Sequence, residues 1–310
     1  MILVTSPTTF VGRAVVQRLA AEDFNTRCLI RPSRYEQQLP TEVTFSIASA
    51  SLADFPALRA AMQGVTAVIH LARGEERLEE QVLQDQPLET ADLLAAAQEA
   101  GVTRFIYLSR IGATAASAYP LFRVKGESEV KIHESGLDHT IFRSAVIYGA
   151  DDAFTTRLVM LAKVCPLILP VPDVGMARFQ PLWVEDLAKC IVASVTRDDL
   201  IGRTVGLGGP EHYTLEQMIR HVLEAAGVRR YLLHVGMPLM RTGSDLLKPL
   251  LVRSPTQDWW LDLVAVGSAT ELGAIPKHFS FEPCRFAQCL GHLRRRRPWR
   301  REFVRHVLGY

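Results

Sequence analysis

The chain has 310 residues, 48% hydrophobic and 22% charged, with 35 Lys and Arg against 33 Asp and Glu for a formal net charge of +2. That is enough apolar material for a sizeable core, and it excludes a disordered, collagen-like or disulfide-stapled chain. The near-neutral total hides an asymmetry: residues 291–310 carry seven Arg and one Glu, a local charge of +6, which leaves −4 for the rest.

Strands and helices alternate from the first residue. Residues 2–5 (ILVT) read as a short buried strand, and 12–21 as a helix with Val15, Val16 and Leu19 on one face. A strand at 26–30, ended by Arg31-Pro32, a strand at 43–47, a short helix at 55–63 and a β-branched strand at 67–71 follow. An Ala-rich helix at 88–100 closes at Gly101, a strand occupies 104–109, a helix at 122–135 closes at Gly136, and a strand occupies 139–143. This spacing predicts an α/β fold, a doubly wound parallel sheet whose ligand crevice lies beyond the C-terminal ends of its strands. Past Gly149 the pattern loosens. Helices are predicted at 153–165, 184–196, 214–226 and 256–264 and a strand at 205–208, with Pro166, Pro170 and Pro172 breaking the chain between.

The five cysteines (28, 165, 190, 284, 289) show no C-x-x-C spacing and read as reduced thiols. The chain opens on a strand pattern, not a signal sequence, and its longest apolar stretches are cut by charges and prolines. The expectation is a cytoplasmic protein without a membrane span, with peripheral attachment at the cytoplasmic face of a membrane left open. No metal-ligand spacing occurs, and no metal site is predicted.

The loop between the first strand and first helix runs Thr5-Ser6-Pro7-Thr8-Thr9-Phe10-Val11-Gly12. In dinucleotide folds this loop is glycine-rich, so that backbone and helix N-terminus can approach a pyrophosphate. Only Gly12 of three expected glycines is present, and Ser6 and Thr9 stand at the other two places. A Cβ there pushes phosphates away unless the loop shifts, while the hydroxyls offer hydrogen bonds in exchange. Two readings stand: a loop that holds a dinucleotide, and an altered, empty crevice.

That loop, with CLIRP at 28–32, VTAVIHLA at 65–72, GVTRFIYLS at 101–109, KGESEV at 125–130, SGLDHTIFRSAVIYG at 135–149, FQPLWVEDLA at 179–188 and VGLGGPEHYTLEQM at 205–218, resembles the atypical short-chain dehydrogenase/reductases of the NmrA-like group. Within that group it is similar to the reductase-like accessory subunits of respiratory complex I and their bacterial relatives. The resemblance covers most of residues 1–230. It implies a Rossmann-type NAD(P)-binding core over 1–150, the rest of the core interleaved with a smaller, mainly helical substrate-side lobe over 151–290, and a basic segment over 291–310. It places the cofactor on Thr5, Ser6, Thr9, Phe10, Val11, Gly12 and Arg13, on Arg31 at the end of the second strand, on His70, Leu71 and Ala72, and on Lys125. An acid at position 31 would take the ribose hydroxyls of NAD. Arg31 with Arg13, aided by Arg34, implies NADP instead, because guanidinium bonds phosphate oxygens strongly.

The resemblance also implies a catalytic set of Ser109 and a Tyr-x-x-x-Lys pair ending at Lys125, with Tyr and Lys on one helix face. Leu121 stands where the tyrosine belongs, and Arg110 adds bulk and charge beside Ser109. Tyr119 is six residues before Lys125 and could reach in only from the loop. Two functions follow. One is a catalytically degenerate NAD(P)-binding scaffold, accessory or assembly factor with structural NADP(H). The other is an NADP-dependent oxidoreductase acting on an unidentified small or lipophilic substrate.

Four arginines at 294–297 precede Pro298, after which Trp299, Phe303, Val304, Val307 and Leu308 form an apolar stripe beside further arginines. Such a segment suits a membrane-associated protein complex or an anionic lipid surface, and equally a helix packed on its own domain. Nucleic acid is excluded as a partner by the acidic body and the lack of a recognition motif.

Overall fold

The computed structural model describes residues 1–31, 39, 43–71, 80–165, 167–173, 177–247 and 258–294. Its elements begin with β1 (Ile2–Thr5), α1 (Phe10–Ala21), β2 (Thr26–Ile30), β3 (Ser46–Ser49), α2 (Phe55–Ala61), β4 (Ala67–Leu71), α3 (Glu80–Glu99), β5 (Arg104–Arg110), α4 (Pro120–Glu134) and β6 (Asp138–Ser144). Then come β7 (Ile147–Tyr148), α5 (Thr155–Val164), β8 (Ile168–Asp173), β9 (Arg178–Phe179), β10 (Leu182–Trp183), α6 (Val184–Ala193) and β11 (Arg203–Leu207). The last are β12 (Tyr213–Thr214), α7 (Leu215–Ala225), β13 (Tyr231–Gly236), α8 (Met237–Leu247), α9 (Asp258–Val266) and α10 (Ala274–Phe279). They fall into two compact units that alternate along the chain: Met1–Ser144 with Val184–Leu207 and Ala274–Phe281, and Ala145–Trp183 with Gly208–Gly273 and Glu282–Tyr310.

The first unit is built on a seven-stranded sheet in the order β11-β6-β5-β4-β1-β2-β3, parallel at every pairing. Strand order reverses between β1 and β4, which is where such sheets open a crevice. Every residue of β1, β4 and β5 is buried, as a sheet covered on both faces requires. On one face Leu3, Val68 and Phe105 pack with Leu58 and Met62 of the α2 region and Leu93 and Ala97 of α3. The doubly wound Rossmann-type fold is therefore the one expected. Two boundaries differ. The third strand lies at Ser46–Ser49, where its exposed residues pair with β2 from Arg27↔Ser46 onward. Helix α3 starts well before residue 88 and carries Pro87 inside it. Proline normally stops a helix, but the buried face formed by Glu89, Thr90, Leu93 and Leu94 holds this one.

In the second unit β8 and β13 form a parallel pair. The sequence made Pro170 and Pro172 a chain break, and the structure corrects this to a strand. A strand with a single neighbour leaves alternate N–H groups facing outward, where proline is tolerated. Asp152 starts α5: its carboxylate accepts from Phe154 N–H (2.9 Å), Thr156 N–H (3.0 Å) and Gly149 N–H (2.9 Å). The expectation of five reduced thiols also fails. Cys284 and Cys289 are disulfide-bonded across a Cα–Cα distance of 6.5 Å, within the reach of such a bond, and Cys28, Cys165 and Cys190 are free. Among the described residues no helix is long and apolar enough to cross a membrane. None of their His, Cys, Asp or Glu side chains group in threes to hold a metal ion. Of the basic segment 291–310 only its first four residues are described, as a 3-10 turn (Gly291–Arg294).

Candidate functional site

The loop from β1 into α1 makes its tight turn at Ser6, which sits at φ 52°, a left-handed conformation that suits the glycine it replaces. Ser6 O accepts from Thr9 N–H (3.2 Å) and from the Thr9 hydroxyl (2.9 Å). Thr9 is the N-cap of α1, and its Oγ1 accepts from Gly12 N–H at 3.1 Å. Gly12 is required by packing: a Cβ there would overlap Ser6 O and the Pro7 backbone. Thr9 thus satisfies one amide at the helix start. Phe10 and Val11 supply first-turn N–H groups that have no partner within the helix. Arg13 Nη1 donates to Thr8 O (3.0 Å), which draws its guanidinium alongside the loop. The tight turn and the donors of a pyrophosphate cradle are thus in place on Ser6 to Gly12, and these residues fit a dinucleotide.

At the switch point Thr5, His70 and Leu71 come together at the ends of β1 and β4. Thr5 Oγ1 accepts from Leu71 N–H (3.0 Å) and lies 2.9 Å from His70 Nδ1. His70 Nε2 lies 3.3 Å from Thr90 Oγ1, whose own proton goes to Gln86 O at 2.8 Å. The Thr5 hydroxyl likewise reaches a main-chain carbonyl, Leu71 O at 3.1 Å, so both hydroxyls that flank the ring are also tied to the backbone. Complete burial, with the Lys125 and Arg31 charges, pulls His70 down to about 3, so it stays neutral. Arg31 Nη2 donates to Glu89 Oε2 of α3 at 2.9 Å. The sequence did not foresee this carboxylate beside the arginine meant for an adenosine phosphate. Ala72 and Arg34, also assigned to the cofactor, lie outside the described residues.

The catalytic candidates stand at the end of β5 and on α4. The Ser109 hydroxyl donates to Glu129 Oε1. Arg143 of β6 holds the same carboxylate in a two-pronged grip, with Nε to Oε1 at 3.0 Å and Nη2 to Oε2 at 2.5 Å. Lys125 donates to Leu108 O (3.3 Å), and its Nζ lies 5.4 Å from the centre of the Tyr107 ring. Burial, reinforced by Arg110, draws the Lys125 ammonium down to about 7 against the opposing pull of Glu129. Burial brings Arg110 to about 10. Leu121 is buried in the core at the tyrosine position. Tyr119 is the N-cap residue of α4, and its ring meets Phe122 edge-on at 6.3 Å. Lys125 faces Tyr107 instead, a fully buried phenol whose ring stacks on His70 at 5.3 Å.

Sequence reading missed Glu129, Arg143 and Tyr107. Glu129 had a readable signal, since it lies four residues after Lys125 on the same helix face. Arg143 and Tyr107 had none, because their partners come from other strands and helices. Chemically the arrangement has a nucleotide-type loop, a neutral histidine and a near-neutral buried lysine. Its serine hydroxyl is occupied.

Fold and loop together define a Rossmann-type nucleotide-binding protein. The family model described as NAD(P)H-binding matches residues 8–163, and the chain belongs to that family. It is 28% identical over 221 residues to the mitochondrial NADH dehydrogenase [ubiquinone] 1 alpha subcomplex subunit 9 of Arabidopsis thaliana, a match covering 68% of this chain and 54% of that protein. It is 24% identical over 227 residues to the Photosystem II assembly factor Ycf39 of Trieres chinensis, covering 73% of this chain and 69% of that one. The chain thus spans about half the length of the complex I subunit it matches. Among solved structures, the NADPH-dependent quinone oxidoreductase QOR2 of Escherichia coli, complexed with NADPH, superposes with a TM-score of 0.73 at 19% identity, covering 94% of this chain and 99% of that one. At that identity the likeness is one of fold. These relatives agree with the atypical short-chain dehydrogenase/reductase resemblance.

Proposed function

We propose that this chain is a catalytically degenerate NAD(P)-binding protein that serves a membrane-associated complex as an accessory or assembly factor, with NADP(H) held as a structural ligand. The observation that carries this reading is the state of the proton-transfer positions. Leu121 is buried where a tyrosine would act, and the Ser109 hydroxyl is committed to the Glu129–Arg143 pair. Support for the accessory role comes from the relatives, whose names make one a subunit of NADH dehydrogenase and the other an assembly factor of photosystem II. The basic segment 294–310 is the proposed surface for such a complex or for anionic lipid.

Thr5, Ser6, Thr9, Phe10, Val11 and Gly12 would hold the pyrophosphate, Arg13 and Arg31 the adenosine end, and His70, Leu71, Ala72 and Lys125 the remainder. A reduced dinucleotide held there would supply a hydride, and Leu121 leaves the chain no aligned acid to supply the matching proton. Loss of such an acid costs about 100- to 10,000-fold in rate. Native mass spectrometry of the purified protein tests the binding, and a panel of aldehydes and ketones tests turnover. Sustained turnover that Lys125→Ala abolishes would overturn the degenerate reading. Tighter binding of NAD(H) than NADP(H), or NADP affinity indifferent to Arg31→Glu, would overturn the cofactor choice.

A second reading, an NADP-dependent oxidoreductase on a small or lipophilic substrate, draws on Lys125. A buried lysine lowered to about 7 is competent to exchange a proton near neutrality. Turnover with an apparent pKa near that value, lost in Lys125→Met, would favour it.

A further inference from the structure

Exposed apolar side chains gather on one face of the second unit. In the β8–β13 pair the register sets Tyr231 opposite Ile168 and Leu233 opposite Pro170, and alternate residues of paired strands share a face. On that face Tyr231 is 79%, Leu233 53% and Ile168 51% exposed, and Leu167 at the foot of β8 is 68% exposed. The opposite side of β8 is packed, with Leu169 and Val171 buried. Single exposed leucines need no explanation, but a contiguous apolar face beside water marks an interaction surface.

The charges around it choose the occupant. Lys163 lies in the last turn of α5, ahead of β8, and Arg229-Arg230 directly precede Tyr231 in β13. Arg230 is anchored by Nε donation to Ala162 O (2.8 Å) and Cys165 O (2.6 Å), and Tyr231 N–H donates to Leu167 O (3.0 Å). These bonds hold Arg230 at the entry end of β13, with Arg229 next to it in the chain and Lys163 in the helix turn that precedes β8. Glu216, the acid that meets His234 of β13 at 3.2 Å, is also tied to Arg220 at 2.5 Å. Aliphatic side chains with an aromatic ring and a basic rim match the boundary between phosphate headgroups and acyl chains. We propose that the β8–β13 face inserts into an anionic lipid leaflet. This attachment is independent of segment 294–310 and of any bound dinucleotide.

Co-sedimentation of the full chain with vesicles of mixed phosphatidylcholine and phosphatidylglycerol, and of phosphatidylcholine alone, tests this. The chain is expected to bind the mixed vesicles. Leu233→Asp should lower partitioning at least about tenfold, given the cost of a carboxylate at lipid depth, and Arg229→Glu should weaken it with a shallower salt dependence. The same losses are expected in a chain lacking 294–310. Unchanged binding by both variants would overturn the proposal, as would retention by native membranes with no binding to pure lipid, which would indicate a protein partner. A direct readout that does not depend on a disruptive variant is Tyr231→Trp with brominated acyl chains. Quenching beyond that of the parent chain, whose own four tryptophans set the baseline, places this face in lipid, and no added quenching on bound vesicles removes it.

Discussion

Ser109 and Lys125 would be the working residues of a reductase, yet each is held by contacts that serve the fold. Glu129 is the pivot, accepting from Ser109 and from Arg143. The two ends of this group are unequal. Arg143 is partly exposed and Glu129 is buried, so removing the arginine strands a buried carboxylate. Arg143→Ala should cost about 3–5 kcal/mol. Glu129→Ala leaves Arg143 able to reach water and orphans the serine hydroxyl, which costs about 1–3 kcal/mol, while the buried Lys125 loses its opposing charge and turns neutral more readily. Urea midpoints check the order, and a reversed ranking would count against this account. His70 gives a pH test. Its folded value, about 3, lies below the ordinary 6.5, so between those values the unfolded chain binds the extra proton. Stability should therefore fall as pH drops through this window, by up to about 1.4 kcal/mol per unit. The stability–pH slope of His70→Asn should be shallower by up to one proton, and an identical slope would show that the ring charges without cost.

The β1–α1 loop is the element on which cofactor binding depends, and its three glycine positions have separate fates. Ser6 accepts a left-handed backbone, Thr9 turns its side chain into a cap, and Gly12 leaves room for the loop. Ser6→Gly should relieve roughly 1 kcal/mol of backbone strain, offset in part by the freer unfolded chain. Gly12→Ala forces α1 off the loop, and both the thermal midpoint and dinucleotide affinity should fall. If Gly12→Ala melts like the parent, the close packing is not needed. At this scale much was legible in advance. The strands at 26–30 and 67–71 coincide with β2 and β4 because each is a short, largely apolar run between punctuating residues. What stayed hidden depends on partners far along the chain. The β8 prolines argued against a strand that tertiary packing supplies. The Glu89 partner of Arg31, 58 residues away, leaves no local pattern. The serine, lysine and loop of the candidate site could be named from motifs, whereas the contact that occupies the serine could not.

For the whole molecule the decisive feature is the position of β11. The sheet is one continuous parallel surface, but its β11 edge strand comes from Arg203–Leu207, after the chain has passed through β7 to β10 of the second unit. On a ribosome the six strands β1 to β6 emerge first, and the outer row of N–H and C=O groups on β6 has no partner until residue 207 is made. During that interval the nascent chain presents an open edge able to pair with another copy. A fragment ending at residue 150, the end of the core expected from the sequence, should therefore aggregate, and one extended through the α6–β11 segment should stay monomeric longer on size-exclusion chromatography. A soluble, monomeric 1–150 fragment would show that β6 protects its own edge. If the aggregation is seen, a chain of this topology carries a folding liability set by the order of synthesis, and a trans-acting chaperone during that window would raise its yield without altering the stability of the finished protein.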